Sequence, residues 1–272
     1  MKVKRIIYKI GLILCRYFWK LNAGRRIKAF GERFRVAPNT IFPSYRKFPL
    51  PKGDCLSEIV RYTDFVQLHA ICNLVMGLER PTIVEIGAHH GSYAIIMGKI
   101  VQKKAGKIIA VEPNPESYEV MVKNIGLNGL SNTVICEQVA ILDKPGHLIS
   151  MELKGIESRL SEKQNGDCCP VEIVTLEELL QKYEVTKVDL LIIDVEGAEL
   201  CVLRSFPWGS ASIGKIFCEL HPYAWKDFGY CGEDFSNFLK NHGYRCVDMY
   251  LKEHDIFKSD SYIGPSILVP PK

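Results

Sequence analysis

The chain contains the stretch Ile83-Val84-Glu85-Ile86-Gly87-Ala88-His89-His90-Gly91, an apolar run that ends in a glycine turn directly before a helical pattern. Glycine allows the backbone to turn sharply, and it lets a ligand approach where a Cβ would stand in the way. A strand, a glycine turn and a helix in this order are typical of nucleotide-binding α/β folds. The glycines alone are a weak signal, because a purely structural turn has the same sequence.

Strand and helix patterns alternate along the rest of the chain. Strands are predicted at 82–86, 107–111, 133–139, 188–193, 215–220, 244–250 and 266–269, and helices at 56–78, 92–102, 115–128, 175–183, 197–206 and 233–242. This alternation predicts an α/β fold with a seven-stranded, mostly parallel sheet and helices on both faces. The stretch 255–265 lacks a full helical pattern, which leaves an antiparallel edge open.

The second predicted strand ends in Glu112, which lies 25 residues after Gly87. An acid at this strand tip can accept hydrogen bonds from both ribose hydroxyls of an adenosine. A dinucleotide site would favour the pattern Gly-x-Gly-x-x-Gly, but Ala88 and His90 stand at positions where they would thicken or shift that turn. A P-loop is missing too, because no Gly-Lys-Ser or Gly-Lys-Thr follows. These features favour a nucleoside without a pyrophosphate, such as S-adenosylmethionine.

The fourth predicted strand runs directly into the acidic segment Asp194-Val195-Glu196-Gly197-Ala198-Glu199. Asp194 follows four apolar residues, so it is expected at the carboxyl edge of the sheet, beside the cofactor pocket. Glu196 and Glu199 have a local alternative, since carboxylates near a helix N-terminus are stabilised by the helix dipole.

The acidic segment, preceded by Val188-Asp189-Leu190-Leu191, resembles the signature of the FkbM family of methyltransferases. Four further stretches resemble that family: Glu112-Pro113-Asn114-Pro115, Asn124-Ile125-Gly126-Leu127-Asn128-Gly129, Thr175-Leu176-Glu177-Glu178-Leu179-Leu180 and Glu219-Leu220-His221-Pro222. The resemblance implies a class I methyltransferase (Rossmann-like) fold, S-adenosylmethionine as methyl donor, and O-methylation of sugar or natural-product hydroxyls. One position departs from it, because similar proteins usually have Asn where this chain has His89, an imidazole that is bulkier and titrates near neutral pH when unperturbed.

The predicted cofactor contacts surround the glycine turn and the ends of the first four strands: Glu85, Gly87, Ala88, His89, Gly91, Glu112, Pro113, Asn114, Gln138, Val139 and Asp194. Glu85 is expected to orient the loop or to meet the amino-acid end of the donor. The stretch at Gln138 and Val139 is placed near an adenine edge by its position alone.

The predicted catalytic residues lie at the carboxyl ends of the fourth and fifth strands: Asp194, Glu196, Glu199, Glu219 and His221. An alcohol needs a base for its proton, which favours His221 or Asp194, while Glu196 and Glu199 are expected to bind substrate hydroxyls. A divalent metal on these carboxylates, such as magnesium or calcium, would lower the pKa of a bound diol. It is not favoured, because acidic clusters also bind sugar hydroxyls directly.

The N-terminal region is strongly basic. Residues 1–31 contain nine Lys or Arg and no acid. Because the whole chain has a net charge of +4, the remainder has a net charge of −5. A mildly acidic body argues against a broad nucleic-acid-binding face.

The apolar stretch 6–21 has its basic residues on one helical face, which predicts an amphipathic helix. Lys9 and Arg16 interrupt it too early for a membrane span, and it has no small-residue cleavage site of a secretory signal. The helix is expected to bind an anionic membrane surface, or to pack on the protein itself or on a second subunit.

The organisation that follows is an N-terminal region of residues 1–54 and a methyltransferase domain of residues 55–272. Residues 31–54 contain four prolines and Gly53, which predicts an extended connector rather than regular structure.

The chain has ten cysteines and no Cys-x-x-Cys, which favours reduced thiols and a cytoplasmic location, with the inner face of the membrane as a second option. The expected partner is a hydroxylated metabolite, glycan or glycolipid, and no nucleic acid; the oligomeric state is left open.

Other functions stay open at this point. A non-catalytic nucleoside-binding or scaffold module would have the same fold, and an N- or carboxylate-methyltransferase would have the same cofactor site. A nicotinamide-dependent oxidoreductase is disfavoured by the glycine spacing.

Overall fold

A computed structural model describes residues 25–29, 32–37, 39–40, 64–144, 146–152, 159–161, 168–249, 251–253 and 264–271. The predicted amphipathic helix at 6–21 lies outside these residues, as does most of the predicted connector. Among the helices in the described ranges, none has the length and apolar character that crossing a membrane requires.

In chain order, the strands are β1 (Arg25–Ala29), β2 (Glu32–Val36), β3 (Thr82–Ile86), β4 (Lys107–Val111), β5 (Val134–Glu137), β6 (Ala140–Ile141), β7 (Gly146–Glu152), β8 (Arg159–Ser161), β9 (Cys168–Val174), β10 (Lys187–Ile193), β11 (Ser212–Leu220), β12 (Arg245–Val247) and β13 (Gly264–Val269). The α-helices are α1 (Asp64–Met76), α2 (Ser92–Lys103), α3 (Pro115–Leu127), α4 (Leu176–Lys182), α5 (Glu199–Arg204) and α6 (Gly232–Asn241), and a 3-10 helix spans Pro222–Phe228.

A seven-stranded sheet in the order β12-β13-β11-β10-β3-β4-β5 forms the centre of the fold. The strands β5, β4, β3, β10 and β11 pair in parallel, whereas β13 pairs antiparallel with both β11 and β12. The predicted α/β class and the seven-stranded, mostly parallel sheet are therefore confirmed. The antiparallel pairing falls where the sequence left it open.

Side chains along β10 alternate between two apolar cores. Leu190 and Ile192 pack in one core with residues of α1, α2 and α3, and Leu191 and Ile193 pack in the other with residues of α4, α5 and α6. All four are at most 2% exposed. Burial on both faces explains why this strand is a continuous apolar run, and it places helices on both sides of the sheet as predicted.

A second sheet, in the order β6-β9-β7-β8, was not predicted. Its longest pairing joins Gly146–Glu152 to Cys168–Val174 in antiparallel register. The sequence gives little sign of this ladder, because Pro170 falls inside β9 and a proline within a run argues against a strand. The buried side chains of Val171 and Ile173 join the core that contains α4 and α5.

The hairpin of β1 and β2 corrects the prediction that residues 31–54 lack regular structure. Glu32–Val36 pairs antiparallel with Arg25–Ala29. Two side chains of the α3 region hold it: Asn124 Oδ1 accepts the Ala37 N–H at 2.7 Å, and Asn128 Oδ1 accepts the Arg35 N–H at 3.0 Å. These distant partners, which no local pattern reveals, fix β2 on the body of the protein.

Candidate active site

Glu112 stands at the carboxyl end of β4 with both carboxylate oxygens occupied by backbone groups. The His89 N–H donates to Oε2 at 2.7 Å, and the Asn114 N–H donates to Oε1 at 2.8 Å. Burial raises the pKa of Glu112 to about 7, against the opposite effect of these two hydrogen bonds. Each oxygen keeps a second lone pair, so the group can still accept hydrogen bonds from a diol such as a ribose.

Glu85 lies on the neighbouring strand β3 and is 3% exposed. Its Oε2 has no hydrogen-bond partner among the described residues. Burial, followed by the charges of Asp194 and Glu112, raises the pKa of Glu85 to about 8. A buried oxygen without a partner is uncommon in folded proteins and points to a missing ligand group, for which an amino group is a suitable donor.

The glycine turn is required by close packing. Gly87 has φ 87°, and a Cβ there would lie 1.8 Å from the backbone oxygen of Asp194. Gly91 has φ 69°, and a Cβ there would lie 2.8 Å from Cγ of Met121. Gly87 therefore allows the ends of β3 and β10 to meet, and Ala88 between these glycines is buried.

The backbone N–H of His89 donates to Glu112, while the His89 side chain stacks on His90 with 3.8 Å between ring centroids. Burial lowers the pKa of His89 below its ordinary value. Burial and the neighbouring ring lower the pKa of His90 to about 3. The pKa of His89 is thus lower than that of the unperturbed imidazole expected from the sequence.

The remaining predicted cofactor residues lie beside Glu112 at the same sheet edge. Asn114 caps α3 by accepting the Glu116 N–H at 2.9 Å, which occupies its side-chain oxygen. Pro113 is half-buried, Val139 is buried, and Gln138 is exposed just after β5. Gln138 has the more accessible side chain for an adenine edge, and this contact stays a prediction.

Asp194, Glu196 and His221 come together where β10 and β11 end. His221 is 5% exposed. Its Nε2 lies 3.9 Å from Asp194 Oδ1 and 3.9 Å from Glu196 Oε2. Its Nδ1 lies 2.7 Å from Glu199 Oε1. Because a carboxylate only accepts, Nδ1 carries a proton in this pair, and Nε2 faces the two other acids.

Glu199 does not have the position expected of a substrate-binding residue. Its side chain is 0% exposed, and it accepts hydrogen bonds from Gly197 N at 2.9 Å, Trp225 Nε1 at 2.8 Å and the Tyr230 hydroxyl at 3.1 Å, besides that of His221. We therefore replace the predicted hydroxyl-binding role by the positioning of His221. The sequence places Trp225 and Tyr230 after His221, but no pattern in it reveals that they bind Glu199.

Glu196 is held at the open side of the cluster. Its φ of 51° is unusual for a residue with a side chain. The Tyr223 hydroxyl donates to its Oε2 at 2.5 Å. The next residue, Gly197, packs so closely that a Cβ would lie 2.5 Å from that of Ala224. The turn after β10 is thereby fixed against the 3-10 helix.

The charges of this cluster act on one another. Enclosure by the protein, followed by the charge of Glu219, raises the pKa of Asp194 well above its ordinary value, although 44% of the side chain is accessible. For His221, burial lowers the pKa, but the hydrogen bond to Glu199 and the charges of Asp194 and Glu196 outweigh burial and raise it to about 9. The half-buried Glu219 thus belongs to the same electrostatic group.

Comparison with known proteins gives three findings. A model described as the methyltransferase FkbM domain matches residues 85–246, more than half of the chain. Methyltransferase sdnD of Sordaria araneosa is 28% identical, with 46% of this chain and 60% of that protein covered. Hexuronic acid methyltransferase AglP of Haloferax volcanii is 25% identical, with 53% and 57% covered. The chain thus spans less than two thirds of the length of these relatives.

Solved structures include an FkbM methyltransferase from Methylobacillus flagellatus, with a TM-score of 0.44, 12% identity, and 71% of this chain and 45% of that chain covered. The O-methyltransferase TomG from Streptomyces achromogenes, in complex with S-adenosylmethionine, has a TM-score of 0.45 at 12% identity, with 75% and 78% covered.

Proposed function

Because the chain belongs to the FkbM methyltransferase family, its domain is an S-adenosylmethionine-dependent methyltransferase, and we propose that it methylates a hydroxyl group of a sugar or related metabolite. The observation that carries this proposal is the cluster of Asp194, Glu196 and His221 next to the residues that fit the donor. Such a cluster offers several acceptors for hydroxyl groups and a base for one of them.

The described residues fit the donor. Glu112 is placed to accept hydrogen bonds from the ribose hydroxyls, and the unpartnered Oε2 of Glu85 suits the amino-acid end. When bound, S-adenosylmethionine supplies an electrophilic methyl group on a sulfonium. The contact between Gly87 and the Asp194 backbone joins the donor residues to the acid cluster.

Asp194 is the residue that we propose as the base. Its accessible side chain can meet an acceptor hydroxyl, and its raised pKa makes it a stronger base than an ordinary carboxylate. Asp194 would accept the proton of the acceptor hydroxyl, and the oxygen would receive the methyl group as the S–CH3 bond breaks and its electrons leave on the thioether S-adenosylhomocysteine. Glu196 and His221 would bind neighbouring groups of the acceptor. Glu199 keeps His221 in place.

The acidic character of the cluster favours a hydroxyl over a carboxylate acceptor. A carboxylate needs no base, and it would be repelled by Asp194, Glu196 and Glu219 at this sheet edge. The similarity to a protein named as a hexuronic acid methyltransferase supports a sugar as the acceptor class; that name does not specify the methylated atom, so the preference for a hydroxyl rests on the acid cluster alone. A scaffold protein without activity would not require the buried hydrogen bond by which Glu199 orients His221.

Product mass spectrometry tests the proposal. The full chain is incubated with S-adenosylmethionine and a panel of glycans and lipid-linked sugars, and methylated products are fragmented to locate the methyl group. We expect Asp194→Asn to lower kcat by about 100-fold or more while S-adenosylhomocysteine still binds in calorimetry. Glu233→Gln, an exposed acid on α6, serves as the matched control. Full activity of Asp194→Asn, or methylation at nitrogen, would contradict the proposal.

We further propose that the protein associates peripherally with an anionic membrane surface. Besides the basic residues 1–31, a groove of about 690 Å³ beside the β1–β2 hairpin is lined by Arg26, Arg33, Arg35 and Lys99. The groove therefore adds positive charge outside residues 1–31, at Arg33, Arg35 and Lys99. Such a surface attracts anionic headgroups and would bring a glycolipid acceptor close.

A further inference from the structure

We propose that Asp194, Glu196 and His221 bind a divalent cation, which in turn holds two neighbouring hydroxyls of the acceptor. The cation site is independent of the proposed function, whereas the role of the cation rests on it. The sequence did not favour a metal here, because acidic clusters also bind sugar hydroxyls directly; the structure adds an imidazole nitrogen that faces two carboxylates.

The distances fit a cation once the side chains close by up to about 2 Å. One ligand atom from each of the three side chains lies within 4.8 Å of the others. Ligands at about 2.1–2.4 Å from one ion are separated by about 3.0–3.4 Å when they are neighbours in an octahedron. The separations of 3.9 Å from His221 Nε2 to Asp194 Oδ1 and Glu196 Oε2 therefore need to close by less than ~1 Å.

His221 gives an independent sign of a ligand. The residue is 5% exposed, and its Nε2 points into the cluster without a hydrogen bond to any residue in the described ranges. Its other nitrogen is fixed by Glu199, which is itself held by Trp225 and Tyr230. A buried carboxylate that orients a histidine is the arrangement found behind metal-binding histidines. A cation at Nε2 would displace the proton that the surrounding carboxylates hold there in the ligand-free protein.

The ligand set indicates the class of ion. Two carboxylates and one imidazole suit Mn²⁺ or Mg²⁺ better than a softer ion, and they suit Ca²⁺ less because of the nitrogen. Three protein ligands leave three octahedral positions free. The accessible sides of Asp194, 44% exposed, and Glu196, 26% exposed, leave room for acceptor oxygens there.

A cation at this site would favour acceptors that carry two neighbouring hydroxyls. A vicinal pair of hydroxyls can chelate the ion, which lowers the pKa of a bound hydroxyl and fixes its position. Asp194 would bind through Oδ1, the oxygen nearest His221, and keep its other oxygen for the proton. The cation would lower the pKa of Asp194 from its raised value, and it would lower the pKa of the bound hydroxyl as well, so the proton transfer would not depend on the raised pKa of the metal-free protein. The Tyr223 hydroxyl, bonded to Glu196, holds the second carboxylate in place.

Titration with Mn²⁺ tests the site without any acceptor. The full chain is treated with EDTA, exchanged into metal-free buffer, saturated with S-adenosylhomocysteine and titrated while free Mn²⁺ is measured by electron paramagnetic resonance. We expect one Mn²⁺ per chain, and at least 10-fold weaker binding in Glu196→Gln and His221→Asn. Glu199→Gln, which weakens the buried support of His221 without removing a proposed ligand, should weaken binding by about 10- to 100-fold. Glu233→Gln is the matched control and should bind as the wild type does.

The outcomes separate this inference from the proposed function. The absence of stoichiometric Mn²⁺ binding in the wild type would overturn the cation site, as would unchanged binding in both Glu196→Gln and His221→Asn, each checked for folding by its affinity for S-adenosylhomocysteine. Full-rate methylation of a hydroxyl in EDTA would overturn the role of the cation and leave the proposed function standing. One bound Mn²⁺ that is lost in the variants supports the site even if no hydroxyl in the panel is methylated.

Discussion

Glu85 places a carboxyl group within the apolar strand β3. Its neighbours Val84 and Ile86 are core residues, and Glu85 itself is 3% exposed. Removing an ionised carboxylate from water is unfavourable, and Asp194 and Glu112 add negative charge nearby, so the group keeps its proton up to a pH of about 8. The ligand-free protein therefore binds one more proton here than the unfolded chain does at neutral pH.

We expect Glu85→Gln to stabilise the ligand-free protein increasingly as the pH rises. Glu85 ionises near 4.5 in the unfolded chain but near 8 in the folded protein. Wild-type stability therefore falls across this window by roughly 1.4 kcal/mol per pH unit, whereas the amide is insensitive to pH. Urea unfolding at about pH 5 and about pH 8.5 measures the difference. A difference between variant and wild type that does not grow with pH would contradict this account.

Gly87 and Gly126 form a matched pair for a test of backbone packing. An alanine at position 87 would combine φ 87° with a Cβ 1.8 Å from the Asp194 oxygen, whereas position 126 on α3 has nothing within 4 Å. We expect Gly87→Ala to destabilise the protein by about 3 kcal/mol or more and to weaken donor binding. Gly126→Ala should stabilise it by about 0.5–1 kcal/mol. Thermal unfolding compares the two, and equal effects would refute the packing argument.

At the scale of elements, the strands that carry the site could be predicted because their residues are buried on both faces. The ends of β4, β10 and β11 therefore identify Glu112, Asp194 and His221 as neighbours at one sheet edge. The direction of each side chain could not be predicted. The Glu199 carboxylate, for example, is buried where Trp225 and Tyr230, which follow β11 in the chain, donate hydrogen bonds to it. The place of the candidate site could thus be inferred from strand ends, whereas the contacts of Glu199 could be known only from the tertiary structure.

The elements that the sequence did not predict lack the continuous apolar pattern of the central strands or depend on side chains elsewhere in the chain. The second sheet joins β7 to β9, and β2 depends on α3 for side-chain contacts. Local patterns carry no information on such partners. The expectation of an unstructured connector failed at β2 for this reason.

Asn124 is the side chain through which α3 binds the segment after β2. It is fully buried, accepts the Ala37 N–H at 2.7 Å and donates to the His90 carbonyl at 2.8 Å. We expect Asn124→Ala to destabilise the protein by about 2 kcal/mol and to accelerate amide exchange in residues 32–40. Glu119→Ala, an exposed change on the same helix, should do neither. Exchange followed by mass spectrometry decides, and unchanged protection of residues 32–40 would count against this anchor.

At the scale of the whole molecule, charge is unevenly distributed. Basic residues concentrate in positions 1–31 and in the groove lined by Arg26, Arg33, Arg35 and Lys99, whereas acids concentrate at the carboxyl edge of the sheet. The attraction between such a basic region and an anionic surface acts over about 10 Å at 0.1 M salt. Binding through it should therefore be sensitive to ionic strength.

We expect the full chain to sediment with vesicles of phosphatidylcholine and phosphatidylglycerol but not with phosphatidylcholine alone. Binding should fall as salt is raised from about 0.05 to about 0.5 M, because screening shortens the reach of the charges. Arg33→Ala with Arg35→Ala should reduce binding, whereas the exposed pair Lys240→Ala with Lys252→Ala should have little effect. Equal binding to both vesicle types would exclude electrostatic recruitment.

The contact between Gly87 and the Asp194 backbone also has a thermodynamic consequence. Two hydrogen-bonded strand ends, joined by Asp194 N to Ile86 O at 3.0 Å, meet here without an intervening side chain. A shift of the turn around Gly87 on donor binding must move Asp194 as well. The affinities for donor and acceptor are then linked, and the linkage is reciprocal: whatever one ligand gains from the presence of the other, the other gains equally.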